Sequence, residues 1–453
     1  MNLGILKLFS FIFFIFSISL FANIQNFDFD LIKKGETDNN TLLIVGGIQG
    51  DEPGGFMAAS LIATHYEINK GSVWVIPNLN FYSIIKRGRG AFGDMNRKFA
   101  SISSQDPDYN TIQRIKEYMS NDKVKLILNL HDGSGFYRKK HIDSIHSPHK
   151  WGQSSIIDQS YLNIEKYGNL EEISSQVCEY INNKLIRQRD YYSVKNTKTR
   201  LGDKEMEKTL TYYAINIGKA AFGNEASKEL PLHERTYYHL LAIEKYMQIM
   251  NIDYKRKFEL TPIVLKDVID NDISISFYDD KIKLPLREIR NSLNYFPIKK
   301  DGSIEFVGSN PLMTVIKDGN LYNIHYGNRR VSRLSPDYFE INHELKNVDI
   351  NIDGEIKEIE MGSLIYVKDD FLVKPKEDIR VNVIGYVNKS QKNEAGLKIS
   401  KTNILKRYSI DKKGKIYRVE FYKDEKFAGM VLVKFIDDLS IVSNSEKDTT
   451  KKL

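Results

Sequence analysis

From residue 23 to about residue 250, short apolar runs alternate with segments whose apolar positions recur at helical spacing. Leu42–Val45, Val73–Pro77, Lys125–Leu130 and the stretch near Ala220–Phe222 predict strands. Residues 54–67, 109–120, 170–187 and 233–250 predict helices. In the second of these, Ile112, Ile115 and Met119 repeat on one face. In the third, Leu170, Ile173, Val177, Ile181 and Leu185 do so, with Cys178 in the same series. Strands alternating with helices predict an α/β sheet covered on both faces.

The texture changes after Asn251. "ISISFYDD" (273–280) and "IRVNVIGYV" (379–387) alternate apolar and polar positions with the period of a strand. "IYRVEFY", a short polar break over Lys423–Lys426, and "FAGMVLVKF" predict a hairpin. Two small all-β domains are expected here, over residues 251–345 and 346–441, the second sandwich-like. Residues 442–453 are polar and predict a disordered tail.

At the other end, Lys7 precedes Leu8–Ala22, an apolar run of fifteen residues broken by Ser10, Ser17 and Ser19. A bilayer span takes about 20 apolar residues. A basic start, a short apolar core and a small residue at Ala22 instead predict a secretory signal over residues 1–22. Contact with a membrane is expected through this segment alone. Cys178 has no cysteine partner in the chain, so no internal disulfide can form. Export without disulfides points to a bacterial periplasm.

Composition narrows the classes further. The chain has 453 residues, enough for two or three domains, and is 41% hydrophobic and 28% charged. The net charge of +7 is spread among intermixed lysines and acids, which predicts no nucleic-acid footprint. A mild positive excess still suits an anionic polymer such as a cell wall.

Four polar residues follow predicted strands. Gln49 and Glu52 follow Leu42–Val45, His131 follows Lys125–Leu130, and Glu225 follows Ala220–Phe222 and the turn residue Gly223. In open α/β sheets ligands collect beyond the carboxyl ends of strands, so three strands deliver these groups to one rim. Glycines 46, 47, 54 and 55 predict tight turns beside them. Gln49, Glu52 and His131 can ligate one metal. Zinc accepts nitrogen and carboxylate oxygen, and a catalytic zinc keeps a position for water. Glu225 is then placed as a base. Spacing alone also permits a plainer reading. A Q-x-x-E pair serves loop and helix-start hydrogen bonding, and Asp132 can partner His131 or cap a helix. His141, His146 and His149 predict a polar insertion loop bordering the cleft.

"GGIQGDEPGG" (46–55), "RGRGAFGDMNRKF" (87–99), "NLHDGSGFY" (129–137) and "GNEASKE" (223–229) occur in an order that resembles the zinc carboxypeptidases of the M14 class. More closely, they resemble the peptidoglycan DL-carboxypeptidases that set cell shape in helical bacteria. The resemblance covers most of residues 40–250. It implies an M14-like mixed β-sheet flanked by helices, followed by two small all-β domains. M14 enzymes generally use H-x-x-E, and Gln49 stands at the histidine position, as the cell-shape subgroup leads one to expect.

The resemblance implies Zn2+ held by Gln49, Glu52 and His131, with Glu225 as general base. It implies Arg89 as the group that polarises the scissile carbonyl, with Arg87 as its rival in the same loop. Asn96 and Arg97 match the pair that grips the substrate's terminal carboxylate, and Trp151 and Thr211 match substrate-lining positions. The implied reaction is hydrolysis of the γ-D-Glu–meso-diaminopimelate bond of a muropeptide tripeptide, with other cell-shape proteins as possible partners. Two alternatives stand beside it. One is a wall-binding scaffold whose site has decayed, with Gln49 as the scar; the other is a zinc deacylase of small N-acyl amino acids.

Overall fold

The computed structural model describes residues 27–36, 39–387 and 392–436. The predicted signal segment and the predicted polar tail lie outside the described residues.

The N-terminal half is built on a seven-stranded mixed sheet. In chain order the elements are β1 (Ile32–Gly35), β2 (Thr41–Val45), α1 (Pro53–His65), β3 (Tyr66–Lys70), β4 (Ser72–Ile76), α2 (Phe81–Lys86), α3 (Tyr109–Ser120), β5 (Val124–Gly133), β6 (Phe136–Tyr137), β7 (His146–Ser147), β8 (Ser154–Ile157), α4 (Leu170–Asn182), β9 (Ser193–Asn196), α5 (Leu210–Asn216), β10 (Ala220–Ser227) and α6 (Leu232–Ile249). The sheet order is β1-β4-β2-β5-β10-β8-β9. Its centre, β4-β2-β5-β10, is parallel, while β1 and β8 join antiparallel. The central strands are buried on both faces, which is why Leu42–Val45 reads as an unbroken apolar run.

Two predicted helices are shorter in the structure. The helix expected to run to residue 187 ends at Asn182, and Leu185 packs on the core from the following turn. The helix expected to run to residue 67 ends at His65, where the chain enters β3. Helix α1 is buried continuously from Gly54 to Ile62. An apolar girdle is what a helix needs when both sides are covered. One side of α1 faces the end of β5. On the other, Asn310 Nδ2 donates to Ser60 Oγ at 3.4 Å and Tyr326 OH reaches Met57 Sδ at 3.1 Å.

The C-terminal half is mostly β. After α7 (Pro262–Asn271) come a three-stranded sheet and a four-stranded sheet formed by Ser292–Lys299, Arg329–Phe339, Leu321–Tyr326 and Met313–Asp318. Their apolar faces join the core of the N-terminal half. Two further four-stranded sheets enclose a separate apolar cluster between Leu345 and Phe435. The hairpin Ile416–Lys423/Lys426–Phe435 turns at Asp424 and Glu425, both at positive φ (49° and 60°), as a two-residue turn matched to strand twist requires. The architecture is thus a mixed α/β sheet flanked by helices, followed by all-β structure.

Candidate active site

The chain leaves β2 at Gly46 and turns at Gly47, whose φ is +74°. Gly54 and Gly55 serve a different purpose from the turns expected of them. They allow close approach: a Cβ on Gly55 would lie 2.7 Å from the Leu130 carbonyl, and one on Gly54 would lie 2.4 Å from Asp132 Oδ1. The start of α1 is thereby pressed against the end of β5. Glu52 is the N-cap residue of α1 and Pro53 its first helical residue. This arrangement carries Gln49 and Glu52 to His131.

His131 and Glu225 do not follow their strands, as the sequence leads one to expect; they lie within them. Strand β5 runs to Gly133 and β10 to Ser227. Gly223 is a strand residue too, leaving room for Ile156 of β8, whose Cβ would be 3.1 Å from a Cβ at that position. His131 and Glu225 are partners in the parallel register. Equivalent positions on paired strands present their side chains to the same face.

One cleft of about 220 Å³ is lined by Gln49, Glu52, Arg89, Asn96, Arg97, His131, Trp151, Thr211 and Glu225, all nine residues singled out in the sequence. His131 Nδ1 lies 2.8 Å from Glu52 Oε2 and 3.2 Å from Gln49 Oε1. These three side chains are buried at 6%, 5% and 2% exposure, so their donor atoms face one another rather than water. Nitrogen, carboxylate and amide oxygens converging on one point fit a metal ion. Among the described residues no group of three or more His, Cys, Asp or Glu converges in this way. The set here has two such groups, with the Gln49 amide as the third donor.

Arg89 lies 3.7 Å from Glu52 Oε1, and its Nε donates to Asp94 Oδ2 at 2.8 Å. Arg87 turns away and donates to the Asn328 carbonyl at 2.6 Å, so of the two rivals Arg89 is the one at the cleft. Asn96 is anchored through its Oδ1, which accepts from Leu210 N at 3.0 Å. Arg97 donates to the Asn96 carbonyl and lies 3.6 Å from Glu205. Thr211 sits in the first turn of α5, its hydroxyl 3.2 Å from that of Thr209. Trp151 forms part of the wall, with Lys195 Nζ 3.8 Å above its ring.

The electrostatics favour a carboxyl group that can exchange protons. Burial pushes the Glu225 carboxyl up to about 8; the charges of Glu52 and Asp132 add to this, while His131 and Lys228 oppose it. Burial likewise lowers the Lys195 ammonium to about 8, with Glu225 opposing.

Family models match the chain along nearly its full length. The model for the catalytic part of a carboxypeptidase controlling helical cell shape matches residues 5–270. The β-barrel domain of the same carboxypeptidase group matches 270–340, and the C-terminal domain of metallo-carboxypeptidase matches 341–436.

The chain belongs to the family of carboxypeptidases that control helical cell shape.

It is a metallocarboxypeptidase, and a metal ion is the cofactor of its family. Among solved structures it is similar to cell shape determinant protein Csd4 from Helicobacter pylori. The apo form is 41% identical, with 90% of this chain and 100% of that one covered at a TM-score of 0.83. The tripeptide-bound form gives the same figures. The mDAP-bound form, described as a D,L-carboxypeptidase, matches at 41% identity over 89% of this chain and 100% of that one, with a TM-score of 0.83. No curated protein sequence matches.

Several residues of this carboxypeptidase escaped the sequence reading. Asp94 accepts from Gln49 Nε2 at 2.8 Å as well as from Arg89, and so ties Gln49 to a cleft arginine. It lies inside the quoted "GDMNR" stretch, two residues before Asn96. Lys228, inside "GNEASKE", lies 2.7 Å from Asp51 and 3.5 Å from Glu52. Asp132, which the sequence offers as a partner of His131 or as a helix cap, takes the second role: its Oδ2 accepts from Gly54 N of α1 at 2.7 Å, while Arg235 and His239 hold it from the side of α6. The histidines at 141, 146 and 149 gather no ligands. His146 pairs with Asp143 and stacks on Phe136 at 4.7 Å.

Proposed function

We propose that the protein is a zinc-dependent DL-carboxypeptidase that removes meso-diaminopimelate from the muropeptide tripeptide L-Ala-γ-D-Glu-meso-diaminopimelate, leaving a dipeptide. The observation that carries this reading is the convergence of Gln49 Oε1, Glu52 Oε2 and His131 Nδ1 in a cleft that also holds Glu225 and two arginines. It is supported by the likeness to Csd4, whose tripeptide-bound and mDAP-bound forms are known. Six chemically competent groups kept at one cleft favour an enzyme over a decayed scaffold.

Gln49, Glu52 and His131 would hold the zinc. When bound, zinc supplies Lewis acidity and lowers the pKa of water. Glu225 takes a proton from the attacking water and passes it to the departing amine of diaminopimelate. A carboxyl level with His131 in the same cleft is placed for both transfers. Arg89 faces the scissile carbonyl and stabilises the charge that develops on its oxygen. Asn96 and Arg97 receive the terminal carboxylate, for which the planar guanidinium offers a two-pronged fit. Trp151 and Thr211 border the leaving residue.

The site of action is the wall beyond the inner membrane. The N-terminal segment of residues 1–22 would direct export to the periplasm. Among the described residues no helix is long and apolar enough to cross a membrane. Comparing a tripeptide with its C-terminal amide tests the carboxypeptidase reading. The free acid is cleaved and the amide is spared if Asn96 and Arg97 grip a carboxylate; equal cleavage would contradict it.

A further inference from the structure

A second polar cleft lies in the β-rich half, about 280 Å³ in volume and lined by Ser292, Asn294, Tyr295, Arg407, Tyr408 and Arg418, among others. It shares no lining residue with the catalytic cleft. Three features mark it as a built site.

The first is backbone strain. Ser292–Lys299 is an edge strand whose register with Arg329–Phe339 shifts between Leu293 and Phe296. Tyr295, in this bulge, has φ +54°, a conformation that disfavours a bulky residue. Tyr295 is nevertheless 58% exposed, so core packing gives no reason for the strain.

The second is the brace that holds it. Arg418 is 2% exposed, and its guanidinium reaches across from the C-terminal sheet to donate to the Asn294 and Tyr295 carbonyls at 2.7 and 3.0 Å. Its remaining nitrogen, Nε, is buried and finds no partner among the described residues. Glu420, 3.3 Å away, balances its charge.

The third is the opposite wall. Arg407 is exposed and forms no ion pair among the described residues, and its guanidinium lies 5.1 Å from the Tyr408 ring. The Tyr408 stem packs where Gly385, at φ +99°, leaves space; a Cβ there would lie 2.7 Å from Tyr408 Cβ.

We infer that this cleft binds a carboxylate-bearing amino-sugar chain, the chemistry of cell-wall glycan, through the Tyr295 and Tyr408 rings and the Arg407 guanidinium. The negative face of a tyrosine ring attracts the C–H face of a sugar. An uncommitted arginine pairs with a carboxylate, and the amide and hydroxyls at the rim suit acetamido and hydroxyl groups. The inference extends the proposed function, because it ties the enzyme to the polymer from which its peptide substrate hangs.

The test is calorimetric titration of the full chain with soluble, peptide-free oligosaccharides of alternating N-acetylglucosamine and N-acetylmuramic acid. Wild type should bind, and Tyr295→Ala and Arg407→Ala should each weaken binding about fivefold or more. Both variants should hydrolyse a small soluble tripeptide as wild type does. Chitin oligosaccharides, which lack the carboxylate, should bind wild type as weakly as the wall oligosaccharides bind Arg407→Ala. Absence of binding to wild type, as expected if the cleft takes a protein segment instead, would overturn the inference. So would equal binding by wild type and both variants. The titration needs neither peptide nor metal, so its failure is distinct from failure of the hydrolase reading.

Discussion

His131 and Glu225 stand level with each other on neighbouring parallel strands, paired in register where β5 and β10 extend past the centre of the sheet. The pairing places the proposed metal-binding imidazole and the proposed general-base carboxyl on the same face, held by backbone rather than by loops. Strand-borne groups keep their relative geometry with little freedom to drift. Glu225→Gln should therefore fold and retain metal, while turnover falls on the order of 10²- to 10³-fold or more. Steady-state rates, with metal content measured on the same sample, check this.

The first of the proposed zinc donors, Gln49, is an amide, a poorer zinc ligand than imidazole. Gln49→His should retain metal longer in a chelator titration than wild type. Equal retention would show that the Gln49 oxygen does not share in holding the ion.

Asp94 fixes both Gln49 and Arg89, at 2.8 Å each. Outer residues that orient ligands typically contribute 10- to 100-fold to metal affinity or activity. Asp94→Ala should thus lower apparent metal affinity about tenfold. It should also depress turnover beyond what restored metal recovers, because Arg89 loses its anchor. Metal titration followed by assay at saturating metal separates the two effects.

The fold was legible where burial leaves a simple mark. Leu42–Val45, Val73–Pro77 and Lys125–Leu130 are apolar because helices cover both faces of the central strands. Ser154–Ile157 was not legible. Its serines are buried but paired locally, Ser155 Oγ accepting from Ser174 Oγ at 2.7 Å, so the strand carries no apolar pattern. The extents of β5 and β10 were missed because both continue through polar residues that the cleft requires. Seven of the cleft residues could be picked out from four ordered motifs, while Trp151 and Thr211 lie outside them. The contacts of Asp94 and Lys228 could not, since they join segments 45 and 177 residues apart. His141, His146 and His149, read from the sequence as a polar loop rather than a metal site, form no metal-ligand group among the described residues.

His325 offers a pH test remote from the metal-site residues. Burial lowers its pKa from 6.5 to about 4, the charges of Arg87 and Arg330 adding to this, and its buried Nδ1 finds no partner among the described residues. Above pH 6.5 the ring is neutral folded or unfolded and costs nothing. As pH falls from 6.5 toward 4, the unfolded chain takes up a proton that the folded one refuses, so stability is lost, by up to about 3 kcal/mol. His325→Gln should remove this share of the acid sensitivity. Thermal unfolding of both proteins between pH 7 and pH 4 checks it; parallel curves would count against the assignment.

The Gln49–Glu52–His131 convergence, with Glu225 beside it, is proposed as a working hydrolytic centre. Incubating purified protein with L-Ala-γ-D-Glu-meso-diaminopimelate, with and without chelator, and reading the products by mass spectrometry tests it most directly. Free diaminopimelate and the dipeptide are expected, with loss of both products in chelator and recovery on adding zinc. Intact tripeptide after incubation with zinc-loaded protein, or hydrolysis indifferent to chelator, would contradict it.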